Sequence, residues 1–159
     1  MRAWSPWAVL LGCALASPAG GDAAAPPAKA MKVRVYVGTY TEGESKGIYP
    51  LLLDTATGAL SSAGAPTPSV NPSFLALHPT GRFLYAVNET GQSRTDASGK
   101  VSAFAIDPRS GALTFLGAQE SGGPAPCHLS LDRAGRHLFV ANYWGGSAAV
   151  LKVAADGRL

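Results

Sequence analysis

The 159-residue chain is poor in the groups that most often announce a function. It has two cysteines, and only Cys127 lies beyond the first thirty residues, so that part of the chain forms no internal disulfide. Neither that thiol nor the three histidines fall at a metal-ligand spacing. Charged residues make up 14% of the chain, and its formal net charge of +3 is spread without a cluster. The absence of a basic stripe argues against a nucleic-acid partner. No segment approaches the roughly 20 consecutive apolar residues of a membrane helix. No segment has a sustained 3.6-residue period either, so almost no helix is expected. The glycine-rich pieces Gly43–Gly47 and Gly145–Gly146 lack the strand–loop–helix setting of a phosphate loop.

What is present divides in two. Residues 1–30 are a different material from the rest: Met1 and Arg2, an apolar run from Ala3 to Ala16, then small residues and prolines through Ala30. That order is a secretory leader followed by an Ala/Pro tether. Ala14–Ala16 and Ala23–Ala25 are both candidate cleavage sites. Leu10–Cys13 also has the form of a lipobox, which makes Cys13 a candidate lipid attachment point. The expected location is therefore periplasmic or extracellular, with or without an anchor.

Residues 31–159 repeat themselves. Pro72 to Glu89 returns 54 positions later as Pro126 to Tyr143, with seven identities in one register: Pro72/Pro126, Leu75/Leu129, Leu77/Leu131, Gly81/Gly135, Arg82/Arg136, Leu84/Leu138 and Asn88/Asn142. Asp54–Gly58 and Asp107–Gly111 are matching turns in which Asp bonds the backbone and Gly takes positive φ. The repeat predicts four short strands, a to d: Phe74–His78, Phe83–Val87, Val101–Ile106 and Leu113–Gln119. A following unit has a at His128–Leu131, b at Leu138–Ala141 and c at Ala148–Val153, while Val33–Val37 and Gly47–Leu53 are b and c of a preceding one. Pro50, inside the last of these, predicts an edge position or a bulge.

Four-stranded units at this period point to an all-β fold, a β-propeller, since propellers are rings of such blades. About two and a half blades are present, too few to close a ring, so the chain reads as the N-terminal part of a longer protein. Open sheet edges predict poor solubility for such a piece alone.

In an antiparallel meander the start of strand a and the end of strand b share one rim. His128, Asn142, Tyr143 and Trp144 of one unit, Asn88 and Glu89 of another, and Thr39, Tyr40 and Thr41 of the first therefore face a common mouth. Asn88 and Asn142 recur, which also suits a turn-capping role. Glu89 against Tyr143, and His128 against Phe74, break the repeat, as a site would. Arg94, in the loop 90–100, is a candidate contact for an anionic substrate. Cys127 neighbours His128 on a strand and so points to the opposite face. Its repeat partner is Ser73, and it reads as a small packing residue. His78 and His137 read as surface residues.

Taken in order, V-Y-V-G-T-Y-T at Val35–Thr41, G-I-Y at Gly47–Tyr49, L-Y-A-V-N-E at Leu84–Glu89, P-C-H-L-S-L-D at Pro126–Asp132 and V-A-N-Y-W-G-G-S at Val140–Ser147 resemble the lactonase family of seven-bladed propellers. That family includes propeller-type 6-phosphogluconolactonases and a fungal carboxymuconate lactonizing enzyme. The resemblance implies seven blades in the whole protein, a monomer, and hydrolysis of a small sugar-type lactone without metal or cofactor. It implies His128 as the catalytic histidine, with arginine and glutamate partners in later blades; from its place on the rim, Glu89 is the other candidate base. Tyr40, Asn88, Asn142, Tyr143 and Arg94 are the expected substrate contacts, the substrate bearing a phosphate or carboxylate where an arginine takes part. Phosphogluconolactone is made in the cytosol, so an exported member is expected to meet a different lactone. Two alternatives stand beside this: a non-catalytic cell-envelope binding module on the same fold, and a lactonizing enzyme running the chemistry in reverse.

Overall fold

A computed structural model describes residues 30–159; the leader and the candidate anchor Cys13 lie outside the described residues. Every regular element among the described residues is a strand, and every pairing between strands is antiparallel. The first sheet contains β1 (Lys32–Val37), β2 (Gly47–Asp54), β3 (Leu60–Ser62) and β4 (Thr67–Pro68), with β3 and β4 both paired to β2. The second is a four-strand meander of β5 (Leu75–Leu77), β6 (Phe83–Asn88), β7 (Lys100–Ile106) and β8 (Leu113–Glu120). The third holds β9 (Pro126–Leu131), β10 (His137–Asn142) and β11 (Ser147–Lys152). These are strands b–c–d, a–b–c–d and a–b–c of three successive blades.

For Pro50 the edge position is corrected, while the irregular pairing expected there is present. The residue sits in β2, which is paired on both sides, with Tyr36 of β1 opposite it. The irregularity falls on the partner, because strand d of this blade breaks between β3 and β4. In an antiparallel strand the N–H and C=O of one residue point to the same neighbour. The Pro50 carbonyl accepts from Ala63 N at 2.9 Å, just where β3 ends, so the missing N–H of Pro50 faces the break and no ladder bond is lost.

β6 shows how a blade is buried. All six of its residues are buried, although alternate side chains leave opposite faces of the sheet. Phe83, Tyr85 and Val87 pack with Val101 and Ala103 against Leu129, Leu138 and Val140 of the third blade. Leu84 and Ala86 pack with Phe104 against Ile48, and against Tyr36 at the margin, of the first. A strand with a neighbouring blade on each face has to be apolar on both, which is why L-Y-A-V shows no alternation. β10, the repeat copy, buries Leu138, Val140 and Asn142, whereas Phe139 on its other face is 44% exposed.

Neighbouring blades are also latched by hydroxyls. Tyr36 OH donates to Gly111 O at 2.7 Å, and Tyr85 OH donates to Gly157 O at 3.0 Å. Each reaches from strand b of one blade to the c–d turn of the next. Burial pushes the Tyr85 phenol up to about 12, with Asp156 adding to the effect. Gly111 and Gly157 stand at φ +77° and +84°, so the turns they close favour glycine.

Candidate active site

The rim that carries the ends of β1, β6 and β10 owes its geometry to the connections between blades. Asn71 and Ala125, each just before the repeated proline, are the two non-glycine residues at positive φ among the described residues, 41° and 53°. The Asn71 carbonyl accepts from Glu89 N at 3.1 Å, and that of Ala125 accepts from Tyr143 N at 2.8 Å. One left-handed residue thus holds the end of strand b in both blades. Asparagine tolerates that conformation; alanine adopts it at a cost of order 1 kcal/mol or more.

Around Asn71 the side chains converge. Its amide donates to Glu42 Oε1 at 2.7 Å and to Glu89 O at 3.3 Å, and its Oδ1 accepts from Thr41 N at 2.8 Å and Thr41 Oγ1 at 3.0 Å. The Tyr40 hydroxyl donates to Glu89 Oε2 at 2.9 Å, and the Ser73 hydroxyl donates to the same oxygen. Tyr40 is raised from its ordinary value, first by desolvation and then by the bond to Glu89 and that carboxylate's charge, so it remains a donor through neutral pH. Tyr40 and Glu89 are therefore brought together, as the shared rim requires.

His128 follows at the same end. It is exposed on β9, paired with Ala141, and its ring packs on Phe74 with centroids 4.4 Å apart. Phe74 is its own repeat partner, so the starts of successive a strands line the mouth side by side. Cys127, half buried beside it, points its Sγ to Ala141 O at 3.6 Å. Tyr143 and Trp144 are exposed and meet edge to face at 5.3 Å. Arg94 stands exposed in the loop after β6.

Asn88 and Asn142 lie beneath this rim. Asn88 Nδ2 donates to Ser69 Oγ at 3.0 Å and Val70 O at 2.7 Å, while its Oδ1 accepts from Ser102 Oγ at 2.7 Å. Asn142 Nδ2 donates to Ser121 O at 3.0 Å and Ser147 Oγ at 3.2 Å. Both are buried and tie the end of strand b to the connection between blades. Sequence reasoning passed over Asn71, Ser73 and Glu42. The position of Ser73 one residue before Phe74, at the start of a strand a, was the available signal for it.

Three consecutive antiparallel blades with a polar rim at one end define a β-propeller with its mouth at that rim. The family model "Lactonase, 7-bladed beta-propeller" matches residues 34–159, and the chain belongs to that family. It is 41% identical over 124 residues to a 6-phosphogluconolactonase of Bacillus subtilis, covering 78% of this chain and 34% of the relative. A 6-phosphogluconolactonase of Formosa agariphila is 32% identical over 126 residues, covering 79% and 35%. Among solved structures, a periplasmic gluconolactonase of Pseudomonas aeruginosa superposes with a TM-score of 0.73 at 39% identity, covering 80% of this chain and 36% of that one. A putative 6-phosphogluconolactonase of Bacteroides fragilis gives 0.71 at 37% identity, covering 79% and 33%. The chain spans about a third of the length of these relatives.

Proposed function

We propose that this chain forms part of a lactone hydrolase acting on a sugar-type lactone, with His128 and Glu89 as its acid–base groups. The observation that carries the reading is the convergence on one rim of an anchored carboxylate, Glu89, and an exposed imidazole, His128, in a chain of the lactonase family. In the proposed reaction the base, His128 or Glu89, removes a proton from water as its oxygen attacks the lactone carbonyl. The Tyr143 hydroxyl and backbone N–H groups at the mouth stabilise the oxyanion of the tetrahedral intermediate. The ring C–O bond then breaks, and the leaving alkoxide takes the proton back from the base. Arg94 is the candidate partner for an anionic group on the substrate. Asn88 and Asn142 serve this site from below, by holding its backbone.

The test uses the full-length protein containing this segment, with gluconolactone and its 6-phosphate as substrates. His128→Ala is expected to lower the rate on the order of 10²-fold. An unchanged rate with the fold intact removes His128 from the chemistry.

Export is part of the same proposal. It rests on the order of residues 1–30 and is compatible with the periplasmic neighbour from Pseudomonas aeruginosa. No helix among the described residues is long and apolar enough to cross a membrane. Cell fractionation with N-terminal sequencing checks it. A mature chain starting near Ser17 or Pro26 is expected from the two cleavage sites, and a lipid-labelled product starting at Cys13 marks the anchored form.

A further inference from the structure

We propose that Ser73 and Tyr40 are positioning residues that pin one oxygen of the Glu89 carboxylate, leaving the other turned toward the mouth as the proton acceptor. The inference rests on the reading of this rim as a lactone-hydrolysing site.

A carboxylate offers two oxygens with about four lone-pair directions, and donors normally distribute over both. Here both hydroxyls converge on Oε2, one from the loop after β1 and one from the start of the second blade. Among the described residues no hydrogen bond reaches Oε1. Bonds to an ionised acceptor are roughly twice as strong as neutral ones, so two on one oxygen hold the group against rotation.

The backbone beneath is held as well. Asn71 takes Glu89 N on its carbonyl and donates its amide to Glu89 O, so the peptide on either side of the side chain is gripped by one residue. The repeat shows that this clamp exceeds what the fold needs. In the third blade the same backbone bond runs from Tyr143 N to Ala125 O, and the blade forms with Ala125 where Asn71 stands and Cys127 where Ser73 stands. Both clamp side chains occur only in the copy that carries a carboxylate. Other ionisable groups on the elements around Glu89 are Glu42, tied to Asn71, with Glu44 and Lys46 in the same loop, Arg94 and Asp96 in the loop that follows, Lys100 paired with Asn88, and Cys127 and His128 on β9. Tyr40, kept protonated by desolvation and by its bond to Glu89, acts as donor and does not compete for the proton.

The experiment compares kcat, KM and melting temperature of the full-length protein for Glu89→Gln, Ser73→Ala, Ser73→Thr and Tyr40→Phe. Glu89→Gln is expected to lower kcat on the order of 10²-fold. Ser73→Ala and Tyr40→Phe are each expected to lower kcat on the order of 10-fold with KM little changed, because a displaced base costs rate more than binding. Ser73→Thr keeps the hydroxyl and restores kcat. An inactive Glu89→Gln beside Ser73→Ala and Tyr40→Phe variants of full kcat, changed in melting temperature or not, overturns the positioning role and leaves the base assignment standing. Full activity in Glu89→Gln overturns the reading of Glu89 as base, and the positioning role with it.

Discussion

Asn88 and Asn142 occupy one repeat position, and each donates twice from Nδ2, but only the Oδ1 of Asn88 has a donor. Ser102, opposite Ala86, donates to Asn88 Oδ1. Opposite Val140, the repeat copy of Ala86, stands Ala149, and Asn142 Oδ1 is buried without a donor in a residue 3% exposed. A buried acceptor left unpaired costs about 1–3 kcal/mol. Ala149→Ser is therefore expected to stabilise the protein by about 1 kcal/mol, and Ser102→Ala to destabilise it by about 1–3 kcal/mol, both read by chemical denaturation. Tyr85 gives a pH prediction. Its phenol is raised in the folded protein from 10.0 to about 12, so its contribution is complete below pH 10 and is lost as pH rises through about 12. The unfolded chain releases that proton first, and stability falls across this window. Tyr85→Phe is expected to flatten the alkaline loss while costing about 1 kcal/mol at neutral pH for the bond to Gly157. Unfolding curves from pH 8 to 12 read both effects. None of these partners was legible beforehand, because Ser102 and Ala149 are paired to their asparagines by sheet register and not by nearness along the chain.

At the scale of elements the repeat carried most of the information. Strands a to d of the second blade and a to c of the third lie where the 54-residue offset placed them, with ends moved by one or two residues. A further copy in strand d was also present to be read: Gly64 and Gly117, both followed by alanine, take φ of +150° and +141°. The break in strand d opposite Pro50 was not legible, because a proline within an apolar run does not say which neighbour its missing N–H faces. Gly38, in the first family motif, shows why that motif needs a glycine. A Cβ there would stand 1.8 Å from the Pro72 carbonyl oxygen, a backbone atom that cannot swing away. Gly38→Ala is expected to push the first blade off the connection to the second and cost about 1–3 kcal/mol or more. A fall in melting temperature checks it. A Cβ at Gly81 meets nothing within 4 Å, so Gly81→Ala pays only for its φ of +69° and is the milder comparison.

Among the described residues the second blade is the one packed on both faces, and the outer face of the third carries exposed Phe139 and Val150, the latter 57% exposed. An exposed apolar face with open strand edges favours association. The 159-residue chain is expected to self-associate in light scattering, and Phe139→Lys with Val150→Lys to reduce it. The sequence by itself determined the strand class, the repeat, the blade boundaries, the family and the rim that gathers Tyr40, Glu89, His128 and Tyr143. It could do so because each blade reuses one pattern of side-chain alternation and one turn chemistry, and both are local. Only the tertiary structure decided that Asn88 and Asn142 lie under the rim, that His128 packs on Phe74, and that Glu89 is clamped by Tyr40, Ser73 and Asn71. Those partners stand 49, 16 and 18 residues away from Glu89, on segments of two blades. Their meeting depends on how one twisted sheet docks on the next, which no local pattern encodes.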